Sequence, residues 1–183
     1  MKLLRVGHFG FEKPAALDKK GKVRDLSQHL IDFNPSTLNF ETLEKLKKIN
    51  LETLPEVPSS VRIGSCIAKP GKFLAIGLNY SDHAAETNAE IPKEPIIFNK
   101  ATNCMIGPND NIILPRLSKK LDWEVEIAFI VGKNAKYISQ ENAHNYILGY
   151  CIVNDISERE WQKERGGTWD KGKSGDTFGP TGP

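Results

Sequence analysis

Asp122-Trp123-Glu124-Val125-Glu126-Ile127-Ala128-Phe129-Ile130-Val131 alternates in character from end to end. A β-strand turns successive side chains to opposite faces. Asp122, Glu124, Glu126, Ala128 and Ile130 therefore share one face, and Trp123, Val125, Ile127, Phe129 and Val131 the other. The second face is wholly apolar and is expected to be core. The first is acidic at one end and apolar at the other, so it too is expected to be partly buried. Glutamates two apart on one strand lie side by side, about 7 Å from each other. Half-buried, they would repel and resist desolvation unless they shared a divalent cation. The alternative is a solvated sheet edge.

A third carboxylate weighs on that choice. Asp155 follows the apolar run Tyr150-Cys151-Ile152-Val153 at what reads as the end of a second strand. It could complete a three-oxygen set with Glu124 and Glu126, cap the helix that follows, or do both. Three carboxylates with no Cys or His beside them suit a hard ion, Mg²⁺ first and then Mn²⁺ or Ca²⁺. His83 and Glu86 are three apart, close enough on a helical turn for the carboxylate to fix and activate the imidazole as a base for water. A surface pair is the other reading. Arg159 and Gln162 repeat that spacing after Asp155, where an arginine fork suits a substrate carboxylate or simply a solvated helix face. Lys100, Lys171 and Lys173 could add positive charge to the same pocket.

Outward from these residues the chain divides in two. Residues 1–60 read as a small α/β unit: a strand over Lys2 to Val6, a hairpin turning at Asp18-Lys19-Lys20-Gly21-Lys22, and an amphipathic helix over Phe40 to Ile49. Pro55 and Pro58 mark a linker, and the boundary falls between Pro55 and Gly71. Residues 71–183 are richer in short apolar runs. Phe73 to Leu78 reads as a buried strand and Pro95 to Phe98 as another; Leu148 to Val153 is a third. Ser139 is expected to cap a helix through Tyr146, and Ser157 with Glu160 has a capping-box pattern. No regular period is visible after Gly167, and Asp176 to Pro183 reads as a loop that closes nothing.

Bulk composition is ordinary for a globular chain. The 183 residues are 39% hydrophobic and 26% charged. The 25 Lys and Arg against 23 Asp and Glu leave a formal charge of +2, too balanced to suggest a nucleic-acid or membrane-surface partner. No apolar run approaches the roughly 18 residues of a membrane span, and the first residues lack the apolar core of a secretory signal. Cys66, Cys104 and Cys151 lie far apart and form no CxxC, so neither a disulfide scaffold nor a zinc knuckle is indicated and a cytoplasmic location is expected.

Read together, several stretches resemble the fumarylacetoacetate hydrolase family. They are Gly77-Leu78-Asn79-Tyr80-Ser81-Asp82-His83-Ala84-Ala85-Glu86, Pro92 to Lys100, Asp122-Trp123-Glu124-Val125-Glu126, Val153-Asn154-Asp155-Ile156-Ser157-Glu158-Arg159 with Gln162, and Trp169 to Pro180. The resemblance runs from about Phe73 to Pro183 in the family's order. It implies an α+β, mostly β fold: a catalytic domain of mixed, rolled β-sheets behind a small N-terminal domain. It implies Mg²⁺ or Mn²⁺ on Glu124, Glu126 and Asp155, with a water where Asn79 replaces a further ligand. It also implies His83 and Glu86 as the water-activating pair, Lys173 as an electrostatic aid, and Arg159, Gln162, Lys100 and Tyr80 around the substrate. A homodimer is implied as well.

The implied chemistry is cleavage or enol–keto exchange beside a carbonyl of a 2-oxo or 1,3-dicarbonyl acid, through an enolate common to hydrolases, decarboxylases and isomerases. A ureidoglycolate lyase-type elimination is the alternative. Family members continue for roughly another third of their length, so the chain reads as C-terminally truncated. An inactive fragment, or a metal-binding module without turnover, is therefore the competing expectation.

Overall fold

The computed structural model describes residues 1–80 and 92–183. It is mostly β, with antiparallel and mixed sheets and few helices. Strands β1 (Lys2–Val6), β2 (Lys13–Leu17), β3 (Val23–Asp25) and β4 (Ile63–Gly64) form an antiparallel sheet ordered β3-β2-β1-β4. Alternation sends Leu4, Val6 and Ala15 into one buried cluster, while Ala16 joins Leu26, Phe33 and Leu46 in another. Leu46 comes from helix α1 (Phe40–Lys47), whose first turn is capped by Asn39 accepting from Thr42 N at 2.9 Å. The expected hairpin is present. Asp18 Oδ1 accepts from the Lys20 and Lys22 amides at 2.8 and 2.9 Å, and Gly21 takes the left-handed φ of +75°.

The second half has one larger sheet and two strand pairs. Strands β5 (Leu74–Gly77) and β6 (Ile96–Asn99) pair antiparallel. Strands β7 (Met105–Ile106), β9 (Val125–Val131), β10 (Ile147–Asn154) and β12 (Gly179–Gly182) form a mixed sheet ordered β7-β12-β10-β9. Strands β8 (Leu121–Asp122) and β11 (Ser157–Glu158) make a short antiparallel pair. In register, Glu126 lies opposite Val153 and Ala128 opposite Cys151. Cys104, Ile156 and Phe178 form the buried cluster under the strand ends.

Several expectations fail here, each for a physical reason. The apolar face of residues 123–131 is not core: Ile127 is 64% and Phe129 58% exposed, and Tyr150 and Ile152 of β10 extend the same exposed row. Alternation separates two faces but cannot say which one the chain covers. Nor is β5 buried, since Leu74 and Ile76 face outward. The expected strand is interrupted at Trp123 and Glu124, where the Glu124 carbonyl accepts from Asp155 N at 2.8 Å and Glu124 N donates to Asn154 Oδ1 at 3.1 Å.

The stretch past Gly167 contains helix α3 (Asp170–Lys173) and β12, a central strand buried throughout. Its Gly-Pro-Thr-Gly sequence carries no hydrophobic period, yet it pairs with β7 and with β10. Ser139 precedes a 3₁₀ turn over Gln140–Tyr146 but makes no side-chain cap.

The capping box is displaced by one residue. Ser157 lies buried in β11, and Glu158 caps helix α2 (Arg159–Lys163), accepting from Trp161 N at 2.8 Å. Its other oxygen accepts from Ser118 Oγ, Lys119 N and Lys120 N at 3.1, 3.3 and 2.9 Å. Burial pushes this carboxyl upward, but the bonds from Trp161, Lys120, Ser118 and Lys119 outweigh it and hold it below the ordinary glutamate value. A lowered value gives stability that is present above the unfolded pKa and lost as pH falls through the folded one. Glu158→Ala is therefore expected to cost about 2–3 kcal/mol at pH 7. In thermal denaturation the gap from wild type should narrow toward pH 4. An equal gap at both pH values would mean that the charge contributes nothing.

Candidate functional site

Four carboxylates and three cations meet where β8, the start of β9 and the end of β10 come together. The antiparallel pairing of β9 with β10 brings Glu124 and Glu126 beside Asp155. Asp155 is buried, and its charge is answered from two sides. Lys173 Nζ donates to Asp155 Oδ2 at 2.7 Å and to Glu124 Oε2 at 2.6 Å. Lys100 Nζ lies 2.6 Å from Asp155 Oδ1. That approach is an ion pair without hydrogen-bond alignment, so Oδ1 has no hydrogen-bond partner among the described residues. Burial pushes the Asp155 carboxyl up, but Lys100 and Lys173 overcome it and the group is held below the usual aspartate value.

Both lysines reach the site from the interior. Lys100 follows β6, and its ammonium also donates to the carbonyls of Ile156 and Lys173. Burial draws its pKa down and Asp155 draws it back up, leaving it below the usual lysine value. Lys173 ends α3, with its ammonium 5.1 Å from the centre of the Phe98 ring. Gly172 explains how α3 comes so close. A Cβ there would stand 2.5 Å from Gln162 N and 2.6 Å from the Glu158 carbonyl, so only glycine lets α3 lie against α2.

Arg159 forks onto Asp122 Oδ2 at 2.9 and 2.8 Å, and its Nη2 also reaches Glu124 Oε1. The expected Arg159–Gln162 pair forms, Nη1 to Oε1 at 3.1 Å. In this arrangement the guanidinium is spent on the protein's own carboxylates. Glu126 differs from its neighbours. Burial, then the charges of Glu124 and Asp155, push it up to about 7 against the pull of Lys173 and a hydrogen bond with Tyr80.

The same residues match a divalent cation in chemistry but not in present geometry. The donor chemistry suits a hard ion: three carboxylates, one with an unbonded oxygen and one whose ionised form is disfavoured by burial and by its acidic neighbours. The Lys173 ammonium already serves as a shared cation for Glu124 and Asp155. Among the described residues, however, no three such groups converge on a single point. Glu124, Glu126 and Asp155 could hold an ion once Lys173 yields its place between them.

Of the sequence candidates, Tyr80, Lys100, Glu124, Glu126, Asp155, Arg159, Gln162 and Lys173 lie together. His83 and Glu86 lie outside the described residues. Lys100 is a buried partner of Asp155 rather than a lysine lining open space. Asp122 was grouped with the acidic face of one strand and given no role; it lies instead on β8, paired with β11, and binds Arg159. Trp169, packed edge-on against Phe98 at 5.3 Å between ring centres, gave no signal in sequence beyond its place before the lysine-bearing turn.

The family model for the fumarylacetoacetate (FAA) hydrolase C-terminal domain matches residues 72–183. A Burkholderia ambifaria (strain MC40-6) protein, named provisionally as a hydrolase, is 52% identical over all 183 residues, which cover 65% of its own length. The chain thus spans about 65% of the curated relatives it matches. Among solved structures, the fumarylacetoacetate hydrolase of Exiguobacterium antarcticum aligns with a TM-score of 0.78 at 28% identity, over 98% of this chain and 64% of that one. The 5-carboxymethyl-2-hydroxymuconate delta-isomerase of Mycobacterium smegmatis aligns at 0.74 and 30%, over 100% and 65%. Among the described residues no helix is long and apolar enough to cross a membrane. By its matched residues 72–183, this chain belongs to the fumarylacetoacetate hydrolase family.

Proposed function

We propose that the full protein is a divalent-metal-dependent enzyme acting beside a carbonyl of a 2-oxo or 1,3-dicarbonyl acid, by hydrolysis, decarboxylation or enol–keto exchange. The observation that carries this reading is the gathering of Glu124, Glu126 and Asp155 around Lys173, with Glu126 left short of positive charge. Relatives named as a hydrolase and as an isomerase support the reaction class. When bound, Mg²⁺ or Mn²⁺ supplies a Lewis acid for the carbonyl oxygen.

The chain's own residues do the rest. Lys173, held by burial and by Phe98, stabilises negative charge that develops on the substrate. Arg159, positioned by Gln162, exchanges one of its protein carboxylates for that of the substrate. Tyr80, a hydrogen-bond partner of Glu126, is proposed to contact the substrate. His83 with Glu86 is the proposed base. Residues 1–60 are proposed as a separate leading domain. A homodimer belongs to the same proposal: a second copy would cover the uncharged row of Val125, Ile127, Phe129, Tyr150 and Ile152. Sedimentation at micromolar concentration should show the dimer, and Phe129→Lys should convert it to monomer.

The deciding experiment has two parts. Mn²⁺ binding is followed by electron paramagnetic resonance, then turnover is assayed on a panel of oxo acids with and without chelator. Metal binding with chelator-sensitive turnover supports the enzyme. Binding without turnover leaves a metal-binding module, and absence of binding removes the reading altogether.

Glu126 offers a pH test in the presence of chelator. Its folded value of about 7 lies above the ordinary 4.5. Its stability contribution is thus complete below pH 4.5 and lost as pH rises through 7. Glu126→Gln, neutral throughout, is expected to raise Tm by about 2–4 °C at pH 8, a gain discounted for the site's partial exposure. Little change is expected at pH 5. A gain at pH 5 as large as at pH 8 would contradict the charge argument.

A further inference from the structure

Arg159 opens α2, its backbone N donating to the Lys120 carbonyl at 2.8 Å, and its side chain is 18% exposed. A guanidinium so far from water needs an anion in contact. It has two, and they are held differently. The Glu124 side chain is 19% exposed and is gripped from its other oxygen by Lys173 at 2.6 Å. The Asp122 side chain is 45% exposed, and among the described residues Arg159 is its only cationic partner. Asp122 Oδ1 accepts from Trp123 N at 2.9 Å. Its Oδ2 alone takes both the Nε and the Nη2 bonds of Arg159, at 2.9 and 2.8 Å. The arginine fork is spaced for two carboxylate oxygens. One oxygen serving both bonds is a poorer match than a free carboxylate could make on the same edge.

We propose that Asp122 is an intramolecular stand-in for the substrate's carboxylate, holding the Nε–Nη2 edge of Arg159 until a free carboxylate displaces it and so setting the site's affinity for anions. This rests on the proposed substrate role of Arg159, and it names Asp122 rather than Glu124 as the carboxylate exchanged. The exchange conserves charge, since one anion leaves as another arrives. The guanidinium need not move, because Gln162 Oε1 keeps Nη1 at 3.1 Å and Glu124 keeps its contact with Nη2. Asp122 loses little on release: its half-exposed side chain turns to water and still accepts from Trp123 N. A neutral amide or ester cannot take its place, because the guanidinium would give up an anion for a dipole. The edge therefore selects an ionised carboxylate. Competition of this kind divides the ligand's affinity by the fraction of time the edge is free. For a half-exposed ion pair that factor is about five.

The test titrates malonate into the full chain labelled with ¹⁵N-arginine, in excess Mg²⁺, and follows the Nε–H resonance of Arg159, identified by its loss in Arg159→Lys. Malonate should shift that resonance and malonamide should not. Asp122→Asn, and Asp122→Ser in case the asparagine keeps a bond to Arg159, should reach half-saturation at about fivefold lower malonate. Loss of a merely structural pair would loosen Arg159 and weaken binding, the opposite sign. Unchanged or weaker malonate binding in both variants, or an Arg159 resonance that ignores malonate in all three proteins, overturns the proposal. Turnover on the oxo-acid panel is assayed alongside. Turnover without the gain in affinity defeats this inference and leaves the enzymatic reading; the gain without turnover does the reverse.

Discussion

Asp155→Asn is expected to destabilise the chain by about 3–5 kcal/mol at pH 7.5, measured by urea unfolding. The side chain keeps its size and loses its charge. Lys100 and Lys173, each 2% exposed, then hold two ammonium groups with no buried anion between them. Lys173 retains Glu124, but Lys100 keeps only backbone carbonyls. Total stability for a domain of this size is about 5–15 kcal/mol, so the variant approaches the limit of folding. Lys100→Met supplies the second arm: combined with Asp155→Asn it should cost less than the two single losses together, because the orphaned charge is gone. Asp155 has a lowered pKa, so its contribution is full above the unfolded value near 3.8 and falls away in acid. A loss below about 1 kcal/mol for Asp155→Asn would mean that water reaches both lysines and that the cluster is not a dry ion network.

Glu124→Gln and Lys173→Met should move metal affinity in opposite directions. Glu124 is a shared anion for Lys173 and Arg159 and a proposed ligand. Losing its charge should weaken Mn²⁺ binding by about 100-fold or more, beyond what loss of a supporting hydrogen bond usually costs. Lys173→Met instead removes the ammonium from between Glu124 and Asp155, so Mn²⁺ should bind as tightly as in wild type or more so. Turnover should nevertheless fall by about 10²–10³-fold, the range for loss of one aimed electrostatic contact. Titration by electron paramagnetic resonance reads the first quantity, and initial rates under saturating metal read the second. If both variants bind Mn²⁺ like wild type, the three carboxylates are not its ligands. If Lys173→Met loses metal along with Glu124→Gln, the ammonium organises the carboxylates rather than competing for them.

Much of this site could be read from residues 122–155 because strand periodicity carries the information. Alternation groups Asp122, Glu124 and Glu126, which do meet although β8 and β9 are separate strands, and the end of β10 delivers Asp155. The lysines were harder. Lys100 was assigned to the pocket and, by resemblance, to the substrate, since nothing local reveals that its stem runs inward to Asp155. The capping residue was misplaced by one because Ser157 and Glu158 both suit the role; only the pairing of β11 with β8, which buries Ser157, decides between them. Residues 179–182 were read as a loop because glycine and proline signal turns, whereas here they let a central strand lie close to its neighbours. Gly179 has Cys104 Sγ and Phe73 within 3.0 Å of where a Cβ would be. The outer face of β9 was assigned to the core on hydrophobicity alone, and hydrophobicity does not say what a chain has available to cover it.

The position of β12 also bears on how the molecule is made. Residues 179 and 180 pair in parallel with 105 and 106, while 181 and 182 pair with β10. During synthesis β9 and β10 can form their hairpin early, but β7 must wait for more than seventy further residues to leave the ribosome. Long-range parallel closure of this kind is slow, because loop entropy is lost before the contacts are gained. Until it happens, β10 presents a bare inner edge beside an exposed apolar row. Nascent chains should therefore depend most on chaperones in the interval before residue 182 emerges, and a translational pause placed within that interval should lower the yield of folded protein.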